Sequence, residues 1–183
     1  MANKPRITSH AFKLGGDVID KGALFSSPDR SYRYKLWRVW DESKPKIMFI
    51  MMNPSCADVD FDDASVAKCG RFARMWGYGG LFIGNTFAFR ATDQDDLVLE
   101  DGVDKVGGGN DRAILEMAAM SERIIMAYGK PKSPKLRQRG TELSRLLADN
   151  GYPLYALKIL SDGTPGHPLY IAKDTVPVEF FPR

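Results

Sequence analysis

Two short stretches carry residues whose types and spacing point to chemistry. In ADVDFDD, residues 57–63, four carboxylates (Asp58, Asp60, Asp62 and Asp63) follow one another closely after an apolar run. Alternating carboxylates can hold Mg²⁺ for phosphoryl chemistry. The sixth position lacks the glycine of an EF-hand loop, and the plainer reading is an acidic, solvated helix start. In IMFIMMNPS, six large apolar residues (47–52) stop at Asn53-Pro54. Pro54 cannot extend a ladder, because it lacks the N–H and fixes φ. The chain must leave the sheet at Asn53, whose side chain arrives at the strand's carboxyl edge, where ligands bind in open α/β sheets. Asn-Pro is also ordinary turn chemistry, so Asn53 has a purely structural reading beside the functional one.

The elements that position these residues can be read from periodicity. SYRYKLWRVW, 31–40, alternates as a half-buried strand, with Tyr32, Tyr34 and Leu36 on one side and Arg33 and Lys35 on the other. A turn at 41–45 leads to the buried strand 46–52, and the two are expected to pair as an antiparallel hairpin with the first at the sheet edge. Residues 64–76 read as a helix with Val66, Cys69, Ala73 and Trp76 on one stripe, capped by Asp62 or Asp63. GLFIGNTFAF, 80–89, reads as a second buried strand. A helix begins near Asn110, a strand spans 123–129, a helix spans 140–149 to the stop at Asn150-Gly151, and a strand spans 153–160. Strands alternating with helices predict a three-layer α/β/α domain with a central, mostly parallel four-stranded sheet and an antiparallel edge strand. The loops after residues 52, 86, 129 and 160 then share one edge and bring together Asn53, Asn85, a basic stretch and His167. Residues 1–30 read as a loosely structured arm, broken by Gly15-Gly16 and Ser26-Ser27-Pro28, and 31–183 as a single domain.

The order of these pieces resembles the uracil-DNA-glycosylase superfamily, in short motifs at strand ends. Over about Tyr32 to Tyr170 the chain is also similar to a bacterial and phage family of unknown function within or near that superfamily. YRYKLWRVW, MMNPSCAD, GYGGLFIGN and GHPLY carry this closer likeness. Met51-Met52-Asn53-Pro54-Ser55 resembles the Gly-Ile-Asn-Pro-Gly motif of mismatch-type glycosylases, which implies that Asn53 holds the attacking water. An amide orients water but cannot take its proton. LFIGNTFAFRA, 81–91, resembles the strand ending in Leu-Leu-Asn, which implies that Asn85 reads a pyrimidine edge, with Phe87 or Phe89 stacking on the base. A structural tie from strand end to loop is the alternative for Asn85. Gly166-His167-Pro168-Leu169 resembles the His-Pro-Ser-Pro-Leu loop, which implies that His167 stabilises charge on the departing base. The Ser-Pro after His-Pro is absent here, and Leu169 or Tyr170 stands where a duplex-wedging residue would be, with core packing as the alternative. The other histidine, His10, lies in the arm.

KPKSPKLRQR, 130–139, places Lys130, Lys132, Lys135, Arg137 and Arg139 in a run without acids, suited to phosphate contacts. DQDDLVLEDGVD, 93–104, carries six acids. Solvated loops are the plainer reading of both. The net charge of +3 does not by itself argue for nucleic acid. Two cysteines provide neither a disulfide framework nor the four-Cys ligation of an Fe–S cluster, and Cys69 reads as core. No cofactor or metal is expected. No apolar run reaches the roughly 18 residues of a membrane span, and no secretory leader is read, so the expected setting is a reducing cytoplasm. The sequence thus predicts a nucleobase-recognising protein with a nucleic acid or nucleotide as partner, an N-glycosidase of uracil-like or modified pyrimidines. The competing readings are a non-catalytic binding module on the same fold and metal-dependent phosphoryl transfer through the Asp58–Asp63 cluster.

Overall fold

The computed structural model describes residues 11–26 and 28–182; His10 lies outside them. The strands are β1 (Phe12–Lys13), β2 (Asp20–Phe25), β3 (Arg33–Val39), β4 (Lys46–Met51), β5 (Phe61–Asp62), β6 (Gly80–Asn85), β7 (Arg123–Met126), β8 (Leu154–Ala156) and β9 (Val178–Glu179). The helices are α1 (Ala64–Met75), α2 (Asp95–Val98), α3 (Asn110–Ala119) and α4 (Pro134–Asp149), with a single 3₁₀ turn at Pro168–Tyr170. This is a mixed α/β fold. Seven strands form one sheet in the order β2-β3-β6-β4-β7-β8-β9, and β1 pairs with β5 in a separate ribbon. β6, β4, β7 and β8 run parallel to one another, while β2-β3, β3-β6 and β8-β9 pair antiparallel.

The expected β3–β4 hairpin is absent. β6 lies between the two strands, pairing antiparallel with β3 (Leu36 opposite Ile83) and parallel with β4 (Phe49 opposite Ile83). The physical reason lies in the 41–45 turn, which crosses the start of β6 instead of folding back. Trp40 and Asp41 both donate their N–H to the Gly79 carbonyl, each at 2.9 Å. A Cβ at Gly79 would stand 1.9 Å from the Asp41 carbonyl oxygen, so only glycine allows the crossing. β3 is therefore an interior strand, and the edge beyond it is β2, within the stretch read from sequence as a loose arm.

β4 explains why its sequence is apolar throughout. Met48 and Ile50 face a core built with α3 and α4, while Ile47, Phe49 and Met51 face a second core built with α1. A strand covered on both faces has no polar side, and each large side chain buried there contributes roughly 1.5–3 kcal/mol. α1 starts where its cap dictates, with an Asp63 carboxylate oxygen accepting from the Val66 N–H at 2.8 Å. It buries Val66, Cys69, Phe72 and Ala73, and Trp76 stacks on Phe72 at 5.1 Å.

α4 begins six residues earlier than the 140–149 span read from sequence, at Pro134 behind a Ser133 N-cap. Ser-Pro at N-cap and N1 is a start signal that the surrounding lysines and arginines mask. Only Lys130 and Lys132 of the basic run therefore precede the helix. β8 is also short, three residues of the expected eight, and its chain leaves the sheet into the turns that deliver His167.

Candidate functional site

At the carboxyl edge of the parallel strands lies a cleft of about 410 Å³. Asn53 enters it from the end of β4, Asn85 from β6, Tyr128 from β7 and His167 from the turns after β8. The first turn of α1 supplies Asp63 to Val66, and Thr92 and Gln94 form part of the rim. β3 runs antiparallel to β6, so its first residue, Arg33, reaches the same edge and also lines the cleft. The structure thus brings together the three polar residues singled out at strand ends and loops, and adds Arg33 and Asp63.

Asn85 and Arg33 form the buried part of the site, each with 2% of its surface exposed. Arg33 donates one Nη to the Ala57 carbonyl at 2.8 Å and the other to Asn85 Oδ1 at 3.4 Å, and its Nε has no partner. Neither acceptor is a carboxylate. Burial lowers the Arg33 pKa to about 10, with the Asp63 carboxylate as the largest opposing influence. The guanidinium is therefore still a cation at neutral pH. Because it occupies Asn85 Oδ1, it fixes the amide with Nδ2 turned the other way, and that Nδ2 is buried without a hydrogen-bond partner. A buried orphan donor costs about 1–3 kcal/mol and calls for a partner such as an ordered water or a ligand. The β6 end is held firmly from behind: Asn110 Nδ2 donates to the Asn85 carbonyl at 2.9 Å, and Arg139 Nε donates to the Thr86 carbonyl at 2.9 Å.

Asn53 is half-buried, and its Nδ2 donates to the Ala91 carbonyl at 2.6 Å and to the Pro54 carbonyl at 3.3 Å. The amide ties the loop after β4 to the loop after β6 and leaves Oδ1 as its free hydrogen-bonding atom. His167 stands before the 3₁₀ turn, where its Nδ1 accepts from the Leu169 N–H at 3.4 Å. The neutral ring then carries its proton on Nε2. Burial holds its pKa below the ordinary histidine value, against a smaller upward pull from Asp63. His167 comes this close to the sheet because residue 129 is glycine. Gly129 has φ +74°, and a Cβ there would stand 2.8 Å from His167 Cβ.

Other expected site residues lie elsewhere. Phe87 packs in the core on the α3/α4 face, and Phe89 packs against that core, edge-on to Tyr32 at 5.7 Å and under the Lys105 ammonium. Neither lines the cleft. The basic and acidic runs, both read as solvated, face each other. Lys132 Nζ lies 2.6 Å from Asp93 and 3.3 Å from Asp95, and Lys135 lies 2.5 Å from Glu100. Arg137 pairs with Asp162 at 2.7 Å, and Lys130 reaches the same carboxylate at 3.9 Å. Arg139 is only 8% exposed, held by the Thr86 carbonyl and by Asp111. Tyr170 is 87% exposed, so core packing does not describe it.

The aspartate cluster is likewise dispersed. Asp58 pairs with Arg30 at 2.7 Å, Asp60 with Lys21 at 2.7 Å and Asp62 with Arg38 at 3.0 Å. Among the described residues, no group of three or more His, Cys, Asp or Glu side chains could hold a metal ion. No helix is long and apolar enough to cross a membrane among the same residues.

Arg33 and Asp63 were the two site residues that strand and helix periodicity assigned to other tasks. In sequence Arg33 falls with Lys35 on the polar side of an alternating strand, but a register shift at Tyr34 puts the two on opposite faces: Lys35 reaches Glu116 on α3, while Arg33 is buried against the Ala57 carbonyl. Asp63 reads as a helix cap, which it is, and nothing in the sequence marks that cap as facing a cleft. No curated protein and no solved structure shows significant similarity to this chain. Residues 33–169, which run from β3 through the cleft to the His167 turn, fit a family model described as protein of unknown function (DUF1643), and the chain belongs to that family.

Proposed function

We propose that the cleft binds a uracil-like pyrimidine base, on a nucleotide or an unpaired strand, and hydrolyses its N-glycosidic bond, within a three-layer, uracil-DNA-glycosylase-like fold. The observation that carries this reading is the Asn85 amide, whose oxygen is taken by Arg33 and whose Nδ2 is buried and unpartnered. Such a donor suits a keto oxygen and rejects an exocyclic amine. His167 Nε2–H would meet the second carbonyl as negative charge gathers on the departing base. Asn53, its Nδ2 committed to backbone carbonyls, has Oδ1 left to accept from and orient a water. A C–N bond to a base able to leave as an anion needs mainly this electrostatic help.

The rim favours a small or single-stranded ligand over a duplex. Thr92 and Gln94 line the cleft at the start of the acidic run, and four of the five basic residues lie within 3 Å of a carboxylate or are nearly buried. With few free cations to release phosphate counterions, duplex binding should be weak, with a shallow salt dependence. The dispersal of Asp58, Asp60 and Asp62 into ion pairs weighs against phosphoryl transfer. One observation favours a binding module without turnover, namely that Asn53 already serves as a backbone strap.

The test is release of free base by the purified full chain, without added metal. Substrates are uridine and deoxyuridine nucleotides and oligonucleotides carrying uracil, mismatched thymine or oxidised or hypermodified pyrimidines. Release that is lost in Asn53→Ala and in Asn85→Ala is expected. Binding without release by the wild type would leave the pocket and remove the reaction.

A further inference from the structure

Of the four carboxylates in ADVDFDD, three are neutralised by cations, and the remaining one, Asp63, lines the cleft. Among the residues that line it, Asp63 is the only carboxylate. One oxygen is locked by the Val66 N–H at 2.8 Å, which fixes the side chain at the head of a twelve-residue helix. The other has no hydrogen-bond partner among the described residues. Arg33 and His167, which face the cleft from β3 and from the turns after β8, both feel this carboxylate, so it sits in the middle of the polar lining. It is only partly buried and open to water, unlike the deeper Arg33 and Asn85.

We infer that Asp63 is the general base of the cleft: it takes the proton of the water that Asn53 Oδ1 orients. This rests on the glycosidase reading and supplies what that reading otherwise lacks, since an amide can hold a water but cannot deprotonate it. In the step, the water oxygen bonds to the anomeric carbon and its proton passes to the free Asp63 oxygen. The C–N bond breaks, and its electron pair leaves with the base, whose carbonyls face Asn85 Nδ2 and His167 Nε2–H. The base then recovers a proton from Asp63 or solvent, so that one water is consumed per base released and the enzyme is unchanged. Helix α1 holds Asp63 in place for this work.

Asp63→Asn separates this role from capping, because asparagine caps a helix as well as aspartate does. The variant should keep the melting temperature and ligand Kd of the wild type and lose about 10²–10⁴-fold in kcat. Its remaining rate should rise with pH where the wild type has levelled off, as hydroxide replaces the missing base. Asp63→Ala serves as the second variant: it loses the cap as well, and formate added to it should restore part of the rate without restoring the melting temperature. Base release by Asp63→Asn at the wild-type rate would overturn the assignment while leaving the glycosidase reading intact. Absence of release by the wild type from every substrate would overturn both, and the two failures are read from different proteins.

Discussion

Asn85→Asp should make the protein more stable and disable its pocket. The wild type buries an amide Nδ2 with no acceptor, beside a guanidinium whose two bonded partners are uncharged. The substitution is isosteric, removes the orphan donor and places a carboxylate oxygen 3.4 Å from the Arg33 Nη. Relief of the orphan recovers about 1–3 kcal/mol. Burying the new carboxylate costs several kcal/mol, and its pairing with a cation already desolvated offsets most of that. The Asn110 bond to the strand end is unaffected, because it goes to the Asn85 main-chain carbonyl. The net expectation is a gain of about 1–2 kcal/mol, which for a chain of this size raises the melting temperature by about 2–8 °C. Equilibrium urea unfolding at pH 7 measures the gain, and calorimetric titration with a keto-pyrimidine nucleotide should show binding abolished. A variant less stable than wild type by 1 kcal/mol at pH 7 would refute the reasoning, since Nδ2 would then have a partner or Arg33 would already be neutralised.

Three further outcomes follow from the same geometry. His167 has a folded-state pKa below its unfolded value, so the folded protein resists protonation that the unfolded chain accepts. Stability should decline as pH falls from about 6.5 toward the folded-state pKa and then level off, and thermal melts of His167→Gln against wild type between pH 5 and 8 should lose that component. Gly129→Ala forces a Cβ into a backbone with φ +74° and to within 2.8 Å of His167 Cβ; the left-handed conformation alone costs about 1–2 kcal/mol, and urea unfolding should show at least that loss. Arg38 is 2% exposed and bonded to Asp62 and to the Asp58 carbonyl. Arg38→Ala, which leaves the Asp62 carboxylate unpaired, should cost about 3–5 kcal/mol by the same measurement.

The parts of the fold legible in the sequence are those in which one segment decides its own structure. β4 and β6 are apolar on both faces and lead to asparagines, and α1 has its cap, its stripe and its glycine stop within sixteen residues. Asn53, Asn85 and His167 are therefore legible at one sheet edge from the sequence alone. What escaped depends on what other segments do. Arg33 becomes interior because a register shift at Tyr34 turns it away from the Lys35 side and onto the Ala57 carbonyl, and alternation alone does not reveal a bulge. The 41–45 turn looks like a hairpin turn, and only the Gly79 crossing inserts another strand beneath it. The start of α4 is marked by Ser133-Pro134, but the basic run hid that mark, and the acidic run that neutralises it lies some 35 residues away. Phe87 and Phe89 extend an apolar strand pattern past Asn85, and the pattern carries no sign that the chain has by then turned away from the cleft.

The insertion of β6 has a consequence for how this protein assembles. β2 and β3 touch the rest of the sheet only through β6, and β4, β7, β8 and β9 form the other part. Neighbouring strands lie about 4.7–4.9 Å apart, so β3 and β4 must stand roughly 10 Å from each other, with a gap waiting for a strand made some thirty residues later. Closing that gap is a non-local event of the kind that slows folding. Arg33 belongs to the first part, Asn53, Tyr128 and His167 to the second, and Asn85 to the strand that unites them. The pocket therefore comes into existence only as the two parts join. A ligand that binds it can select no partly assembled form, and its binding energy is spent in full on keeping the sheet closed.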